Sequence, residues 1–148
     1  MEIVGFKAAS QFFLDREKVQ KAVGKTMGRS FAKFGGLTRT VARRSIKKRT
    51  ARRQVSQPGQ PPLDRGTYRN TVLFIYDPAK KSVVIGPIKL AGKKSGAPKL
   101  LEYGGLGRTV SKDGKRTYIR SRPHMRPAFT VAIGKYPDLL RQSRTVGV

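Results

Sequence analysis

RPHMRPAF, residues 122–129, decides the fold, because two Arg-Pro pairs enclose the only histidine and an apolar run follows them. Proline is favoured at the first position of a helix, where its missing N–H costs nothing. Pro127 is therefore predicted to begin the last helix, while Pro123 stiffens the approach to it. The pattern predicts a structural corner between strand and helix rather than a reaction centre.

Glu102, within LLEYGG (100–105), is a rare acid in a basic neighbourhood. Two interpretations stay open for it. It is either an exposed carboxylate at the end of a strand or a fixed ion pair with Arg122 or Arg126, whose charges the corner leaves available. His124 is predicted to be a structural or interface residue, because a lone histidine without cysteines or nearby acids cannot build a zinc site.

A long helix is predicted upstream, beginning at Asp15 as its N-cap. Apolar residues recur there at steps of three or four, namely at Val19, Val23, Met27, Phe31 and Phe34. Gly35-Gly36 interrupts this pattern, and each glycine costs about 1 kcal/mol relative to alanine inside a helix. We expect either a kink there or two helices meeting, within a basic helical region over 15–53. Residues 1–14 precede it as a short strand or as an arm that packs on a neighbour.

The end of this region, RTVARRSIKKRTARR (39–53), holds eight basic residues and no acid. Like charges one turn apart are unfavourable in a bare helix, so an anionic partner is expected. A solvated basic face with no specific partner is the alternative. The residues predicted to contact a polyanion are Arg39, Arg43, Arg44, Lys47, Lys48 and Arg52.

The rest of the chain alternates turn signals with β-branched and aromatic runs, which predicts strands. The fold class expected is α+β in a single domain, 1–148, with a long N-terminal basic helix, a small antiparallel β-sheet of about four strands and a C-terminal helix. A Pro/Gly loop is predicted at 54–66, a β-sheet at 67–122, and a helix and tail at 123–148. Within the sheet region we expect a hairpin (67–77 with 81–88), then a flexible loop (89–99), then two further strands in LLEYGGLG and RTYIRSR.

Charge dominates the composition, with 33 Lys and Arg against 8 Asp and Glu and a formal net charge of +25. Nucleic acid is the default partner for such a chain, and an acidic protein surface is the alternative. The absence of cysteine excludes disulfides, thiolate metal sites and cysteine nucleophiles. The sequence also shows no membrane-length apolar run, no secretory start and no spaced pair of catalytic acids, so we expect no enzyme, cofactor or metal site.

Three segments in this order resemble one family. GQPPLDRGTYRNTVLF (59–74) is similar to a proline-rich loop followed by a strand start, LLEYGG to a hydrophobic-Glu-aromatic-Gly element, and RPHMRPAF to an Arg-Pro-Phe-hydrophobic-Arg-Pro-Ala box. Together with a basic leading helix, they resemble the neck and tail-completion proteins of tailed bacteriophages, the minor tail protein Z-like family of head–tail joining components. His124 stands where that family usually has a large aromatic residue.

The resemblance implies a small structural subunit without enzymatic activity at the joint between a phage portal and its tail. It implies partners as well: copies of itself in a ring of six-fold or twelve-fold symmetry, and neighbouring connector, adaptor or tail proteins. The implied location is the head–tail junction of the virion, reached from the host cytoplasm during assembly. The residues implied to hold the fold or the joint are Glu102, Tyr103, Gly104, Arg122, Pro123, Arg126 and Pro127.

Two alternatives to a neck protein stay open. One is a tail terminator, a neighbouring component that caps the tail tube. The other is a non-specific nucleic-acid-binding protein that uses residues 39–53 on phosphates. Packaged DNA is also a possible partner of the neck protein itself, and none of these functions involves a membrane.

Overall fold

The computed structural model of the protein describes residues 16–52, 54–64, 67–88, 96–110, 114 and 116–144, with the backbone alone at 108–110 and 144. These residues form two long helices, two short helices and six short strands, which confirms the predicted α+β class. The predicted arm at 1–14, the N-cap at Asp15 and most of the loop at 89–99 lie outside the described residues.

The first helix, α1 (Arg16–Ser45), runs unbroken through Gly35 and Gly36, so the expectation of two helices meeting there is wrong. The glycines serve close packing instead. A Cβ atom built on Gly35 would lie 2.5 Å from Cδ2 of the Phe74 ring. No side chain fits at that distance, so Gly35 lets the strand that carries Phe74 approach the helix backbone.

α1 ends at Ser45, and the prediction of a basic helix over 15–53 is therefore wrong beyond that residue. Ile46 is fully buried and packs in the core with Ala42 and Val72. A helix that continued through the basic run would be weakened by repulsion between like charges. The helix ends instead where Ile46 enters the core.

The chain after Ile46 forms a strand rather than another helical turn. Strand β1 (Lys47–Lys48) pairs in parallel with β2 (Leu63–Asp64). The backbone N–H of Arg49 then donates to the carbonyl oxygen of Asp64 at 2.7 Å. This pairing holds the Pro/Gly loop against the end of α1.

The predicted hairpin is confirmed as β3 (Val72–Asp77) and β4 (Ser82–Pro87), which pair antiparallel. The side chain of Asp77 closes the turn, because its Oδ1 accepts the N–H of Ala79 at 3.0 Å and that of Lys80 at 3.2 Å. One face of this hairpin packs on α1 and the other faces outward.

Two segments predicted as strand are helical. The start of the predicted hairpin forms α2 (Tyr68–Thr71), where the Thr71 hydroxyl donates to the Tyr68 carbonyl at 2.7 Å; such local bonds compete with strand pairing. The predicted LLEYGGLG strand begins as α3 (Ala97–Tyr103), which also takes in the end of the predicted flexible loop. Pro98 lies in the first turn of α3, and Gly104 ends it at a positive φ of 76°.

The remaining strands form a second hairpin, β5 (Gly105–Val110) with β6 (Arg116–Ile119), with an irregular register between Leu106 and Val110. Among the described residues the strands make three separate two-stranded sheets. The four antiparallel strands expected from the sequence are thus present as two hairpins, not as one sheet.

The last helix, α4 (Met125–Arg144), begins two residues before the predicted Pro127 and is not split at Gly134 or Pro137. It packs along α1. The Phe34 ring of α1 meets the rings of Phe129 and Tyr136 of α4 edge-on, with centroids 5.6 Å and 5.4 Å apart.

Each of the two long helices buries small polar residues. Ser30, Thr38 and Ser143 are buried, and each hydroxyl donates to the carbonyl four residues earlier in its own helix. By contrast Val19 and Val23, predicted to lie on the buried stripe of α1, are 59% and 51% exposed. The core is therefore small, and it lies toward the C-terminal half of α1.

Candidate functional site

The corner between α3 and α4 is built around the carboxylate of Glu102, whose side chain is only 9% exposed. Its Oε2 accepts the backbone N–H of His124 at 3.0 Å and that of Met125 at 3.1 Å, and its Oε1 accepts the N–H of Arg126 at 2.8 Å. Negative charge is favoured at a helix N-terminus, where the peptide dipoles converge. Glu102 is thus the N-terminal cap of α4, supplied by another helix.

Glu102 and Pro127 together account for every free donor at the start of α4. An α-helix leaves its first four N–H groups without a partner inside the helix. Three of them donate to Glu102, and the fourth position is Pro127, which has no N–H. Pro127 is the third residue of the helix rather than the first, but its missing N–H still costs nothing there.

The interpretation of Glu102 as an exposed carboxylate at a strand end is wrong, and no described arginine of the same chain forms an ion pair with it; a pair with an arginine of another subunit stays a prediction. Its side chain is mostly buried at the end of α3, and in the described part of the chain it lies beside the imidazole of His124 rather than the guanidinium of Arg122 or Arg126. The sequence suggested that an arginine was needed because arginines are the nearest charges in the corner. The helix N-terminus supplies the positive end instead.

His124 extends the corner into a buried hydrogen-bond network. Its Nδ1 lies 3.1 Å from Oε2 of Glu102, and its Nε2 lies 3.0 Å from the hydroxyl of Tyr68. Nδ1 also lies 3.4 Å from the carbonyl oxygen of Arg122, its hydrogen-bond partner. A carbonyl and a carboxylate can only accept, so in the neutral imidazole the proton lies on Nδ1 and Nε2 accepts from Tyr68. With 1% exposure, His124 is a satisfied structural histidine, as predicted.

The environment fixes the charge state of each member. Burial lowers the pKa of His124, and the opposing effects of the Glu102 carboxylate and the Arg122 carbonyl do not overcome it. Burial alone would raise the pKa of Glu102, but the three backbone N–H groups and the imidazole outweigh it and lower the pKa. Burial raises the pKa of Tyr68, and the charges of Glu102 and Asp64 add to that effect. The network therefore holds a neutral histidine, a neutral tyrosine and an ionised glutamate.

A nucleophilic tyrosine or histidine would need an accessible atom and, for tyrosine, a lowered pKa. Tyr68 has a raised pKa, and His124 is enclosed on both ring nitrogens. The arrangement suits holding three segments together rather than chemistry. Those segments are the ones that carry the family resemblance, since Tyr68 comes from the first, Glu102 from the second and His124 from the third.

The other residues of the predicted box support the same corner. Gly104 ends α3, and a Cβ on it would lie 3.0 Å from the carbonyl oxygen of Ile119. Arg122 donates its backbone N–H to Leu101 at 2.6 Å and its Nε–H to Ser56 at 3.2 Å, so it ties the Pro/Gly loop to the corner.

The three remaining box residues lie at the surface of the corner. Tyr103 is exposed, Pro123 is half-buried, and the side chain of Arg126 is exposed. Their side chains line a shallow groove of about 440 Å³ beside the start of α4. These side chains are the part of the box available to a partner.

The six residues predicted to contact a polyanion do not form one helical band. Arg39, Arg43 and Arg44 lie on α1, but Lys47 and Lys48 lie on β1 and Arg52 in a turn beyond it. The helix ends before the last three, for the reason given above. Arg39 is also set apart from the others, because its guanidinium lies over the Phe74 ring, 5.4 Å from the centroid.

Three of the six meet in one cleft, together with a residue that was not among the predicted polyanion contacts. Arg43, Lys47 and Lys48 line a cleft of about 390 Å³ with Arg69 and Asp64. Arg69 was missed because it comes from α2, read as the start of a strand, far along the chain. The sequence did offer one signal for Arg69: it is a basic residue between the Pro/Gly loop and the predicted hairpin, where it could join the basic residues at the end of α1.

The outward face of the β3–β4 hairpin is apolar. Ile75 and Val84 are directly opposite each other in the ladder, and each is 69% exposed. Leu73, two residues along on the same face, is also exposed. An antiparallel sheet with one face in water normally carries polar residues on that face, so this hairpin presents apolar surface on both sides.

In the described part of the chain no group of three or more His, Cys, Asp or Glu side chains could hold a metal ion. No helix described there is both long and apolar enough to cross a membrane. Comparisons with protein-family models, with curated proteins and with solved structures find no match to this chain. Its function has to be inferred from residues and geometry.

Proposed function

We propose that the chain is a structural subunit of the head–tail junction of a tailed bacteriophage, where copies of it assemble with one another and with connector, adaptor or tail proteins. The role is that of a neck or tail-completion protein, and no reaction is assigned to it. Its place of action is the virion, after assembly in the host cytoplasm.

The observation that carries the proposal is the apolar outward face of the β3–β4 hairpin. Isolated two-stranded hairpins are marginal in water and need a packed face, and this one has a second apolar face that nothing in the described residues covers. Contiguous exposed apolar surface on a protein of this size marks an interaction site. The edges of β3 and β4 also pair with no further described strand. The outward face of the hairpin and its edges therefore both favour an assembly partner.

The corner supports the proposal from a different direction. The three segments that resemble the neck-protein family meet in the Tyr68–His124–Glu102 network. Within this network, the Glu102 cap on the backbone N–H groups of 124–126 joins the second segment to the third without using the His124 side chain, so it would explain why these two motifs occur together in a family of structural subunits. It fixes the angle at which α4 leaves the corner, and with it the position of the exposed side chains of Tyr103 and Arg126.

The first test is self-association of the purified chain, followed by sedimentation over a range of protein concentrations. The double variant Ile75→Thr with Val84→Thr keeps the β-branched shape but removes two exposed apolar side chains. Burial of each is worth about 1.5 to 3 kcal/mol, so we expect association to weaken at least about tenfold. The matched control is Val19→Thr with Val23→Thr on exposed turns of α1, which should associate like the wild type.

The second test is made in the phage or prophage that encodes the chain. Deleting the coding sequence should give filled heads and complete tails that do not join, and supplying the wild-type chain should restore joined particles. The Ile75→Thr, Val84→Thr variant should restore far fewer than its α1 control. Joined, infectious particles made without the chain would contradict the proposal.

A further inference from the structure

We infer that the cleft between the end of α1, β1 and α2 is a binding site for the phosphodiester backbone of nucleic acid. This inference does not rest on the proposed function, because it depends on a different surface from the hairpin face. Its ligand is recognised as a chain of phosphates, not as a base sequence.

The first step is the charge that converges on the cleft. Four cationic side chains line it, and Asp64 is the one carboxylate among them. The side chain of Asp64 is occupied locally, since its Oδ2 accepts the backbone N–H of Arg69 at 2.8 Å. Within the described residues Asp138 pairs with Arg141 and Glu102 lies beside the neutral His124, so none of the four cations has an acidic side chain as an ion-pair partner there.

The second step is the fixed orientation of Arg43. Its Nε–H donates to the carbonyl of Val72 at 3.0 Å, and Nη2 donates to the carbonyl of Asn70 at 2.8 Å. These carbonyls hold the guanidinium without cancelling its charge. A guanidinium has five N–H donors, so three remain for a ligand. A donor held in place loses less side-chain entropy when it binds an anion.

The third step is the adjoining groove. Lys47 also lines a second cleft of about 610 Å³, which is bordered by neutral hydrogen-bonding side chains that include Gln54, Gln57 and Gln60. The two clefts therefore adjoin at one lysine, with charge in one and amides in the other. A polymer with alternating phosphates and sugars can use both, whereas a single carboxylate has one charge and two oxygens for four cations. With a net charge of +25 on the chain, a polyanion with closely spaced charges is the better match.

The test is binding of the full chain to a fluorescent duplex DNA of mixed sequence, measured by anisotropy at several salt concentrations. The cleft variant is Lys48→Gln with Arg69→Gln, which removes two charges from two different elements. Each lost phosphate contact removes about 0.9 from the slope of log affinity against log salt. We expect the slope to fall by about 2 and affinity at 0.1 M salt to fall on the order of 50-fold.

The matched control is Lys80→Gln with Lys135→Gln, which removes the same charge from exposed positions on the hairpin turn and on α4, away from the cleft. It should lose no more than about threefold, because it changes only the long-range field. Equal losses in the two double variants would overturn the inference, since binding would then follow net charge alone. Polyglutamate that competes as well as unlabelled DNA at equal charge would also overturn it, in favour of an acidic protein partner.

Discussion

The α3–α4 corner and the cationic cleft differ in whether their charged and polar side chains have partners within the chain. At the corner, the Glu102 carboxylate and His124 ring are almost fully buried, and each has its hydrogen-bond partners within the chain. At the cleft, four cationic side chains lie with the single carboxylate of Asp64, and none of the four forms an ion pair with a described residue. One region has its polar groups paired within the folded chain, and the other presents an excess of cationic side chains, as a site for an anion would.

The comparison separates residues that stabilise the fold from residues that serve binding. Buried polar groups are costly unless paired, so the corner must contribute to stability. Clustered like charges lower the stability of the folded chain, so the charges of the cleft are expected to serve binding rather than stability. Substitutions at the two places should therefore move different observables: unfolding free energy at the corner and ligand affinity at the cleft.

The largest effect is expected from Glu102→Ala. Three backbone N–H groups lose their acceptor, two of them at part-buried positions, and the favourable charge at the start of α4 is removed. Each unsatisfied buried donor costs about 1 kcal/mol or more. We expect a loss of about 3 kcal/mol in the free energy of unfolding, measured by urea denaturation. Glu102→Gln keeps the shape and one acceptor oxygen, so it should lose about half as much.

The control for this change is Asp138→Ala, which removes the acid of the ion pair with Arg141. Asp138 and Arg141 are both largely exposed, so their interaction is worth at most about 1 kcal/mol. Should Glu102→Ala cost no more than Asp138→Ala, the corner would not be the self-sufficient region that the comparison requires.

The pH dependence of stability sharpens the same comparison. The pKa of His124 is lowered on folding from its ordinary value of 6.5. Its neutral form therefore contributes stability that is fully present above pH 6.5 and is lost as the pH falls through 6.5 toward the folded pKa. The lowered pKa of Glu102 adds a further loss below about pH 4.5.

We expect wild-type stability to fall between pH 7.5 and 5.5, with a slope no steeper than about 1.4 kcal/mol per pH unit, because one proton is taken up. His124→Phe removes this titrating group, so its stability should be nearly flat over that range even if it is lower throughout. Denaturant melts of both proteins at four pH values measure this directly. The same slope in both would show that His124 is not the group responsible.

Sequence patterns predicted the elements whose cause is local. The turn residues around Asp77 and the β-branched runs beside it correctly predicted the first hairpin. The Arg-Pro pairs correctly predicted a corner after which α4 begins. The end of α1 was missed because the burial of Ile46 against Val72 is a long-range effect. Gly35 was read as a weak point of the helix because the approach of Phe74 cannot be seen from the neighbours of Gly35.

The same distinction holds for the site. The sequence indicated Glu102, His124 and the Arg-Pro pairs as structural, but it did not indicate Glu102 as a helix cap, since a cap supplied by another helix leaves no pattern at fixed spacing. Tyr68 and Arg69 were not placed in their sites because each contacts residues far away in the chain. Resemblance motifs that lie apart in the sequence met in space, which spacing alone does not reveal.

The smallest effect on stability is expected at the cleft, from Lys48→Gln with Arg69→Gln. Neither side chain makes a described hydrogen bond or ion pair, and the bond between Asp64 and the Arg69 backbone N–H survives the change. Removing two like charges relieves repulsion in a chain of net charge +25. Urea denaturation should therefore place this variant within about 0.5 kcal/mol of the wild type or slightly above it. A loss as large as that of Glu102→Ala would erase the contrast between the two regions, because the cleft would then be part of what holds the fold together.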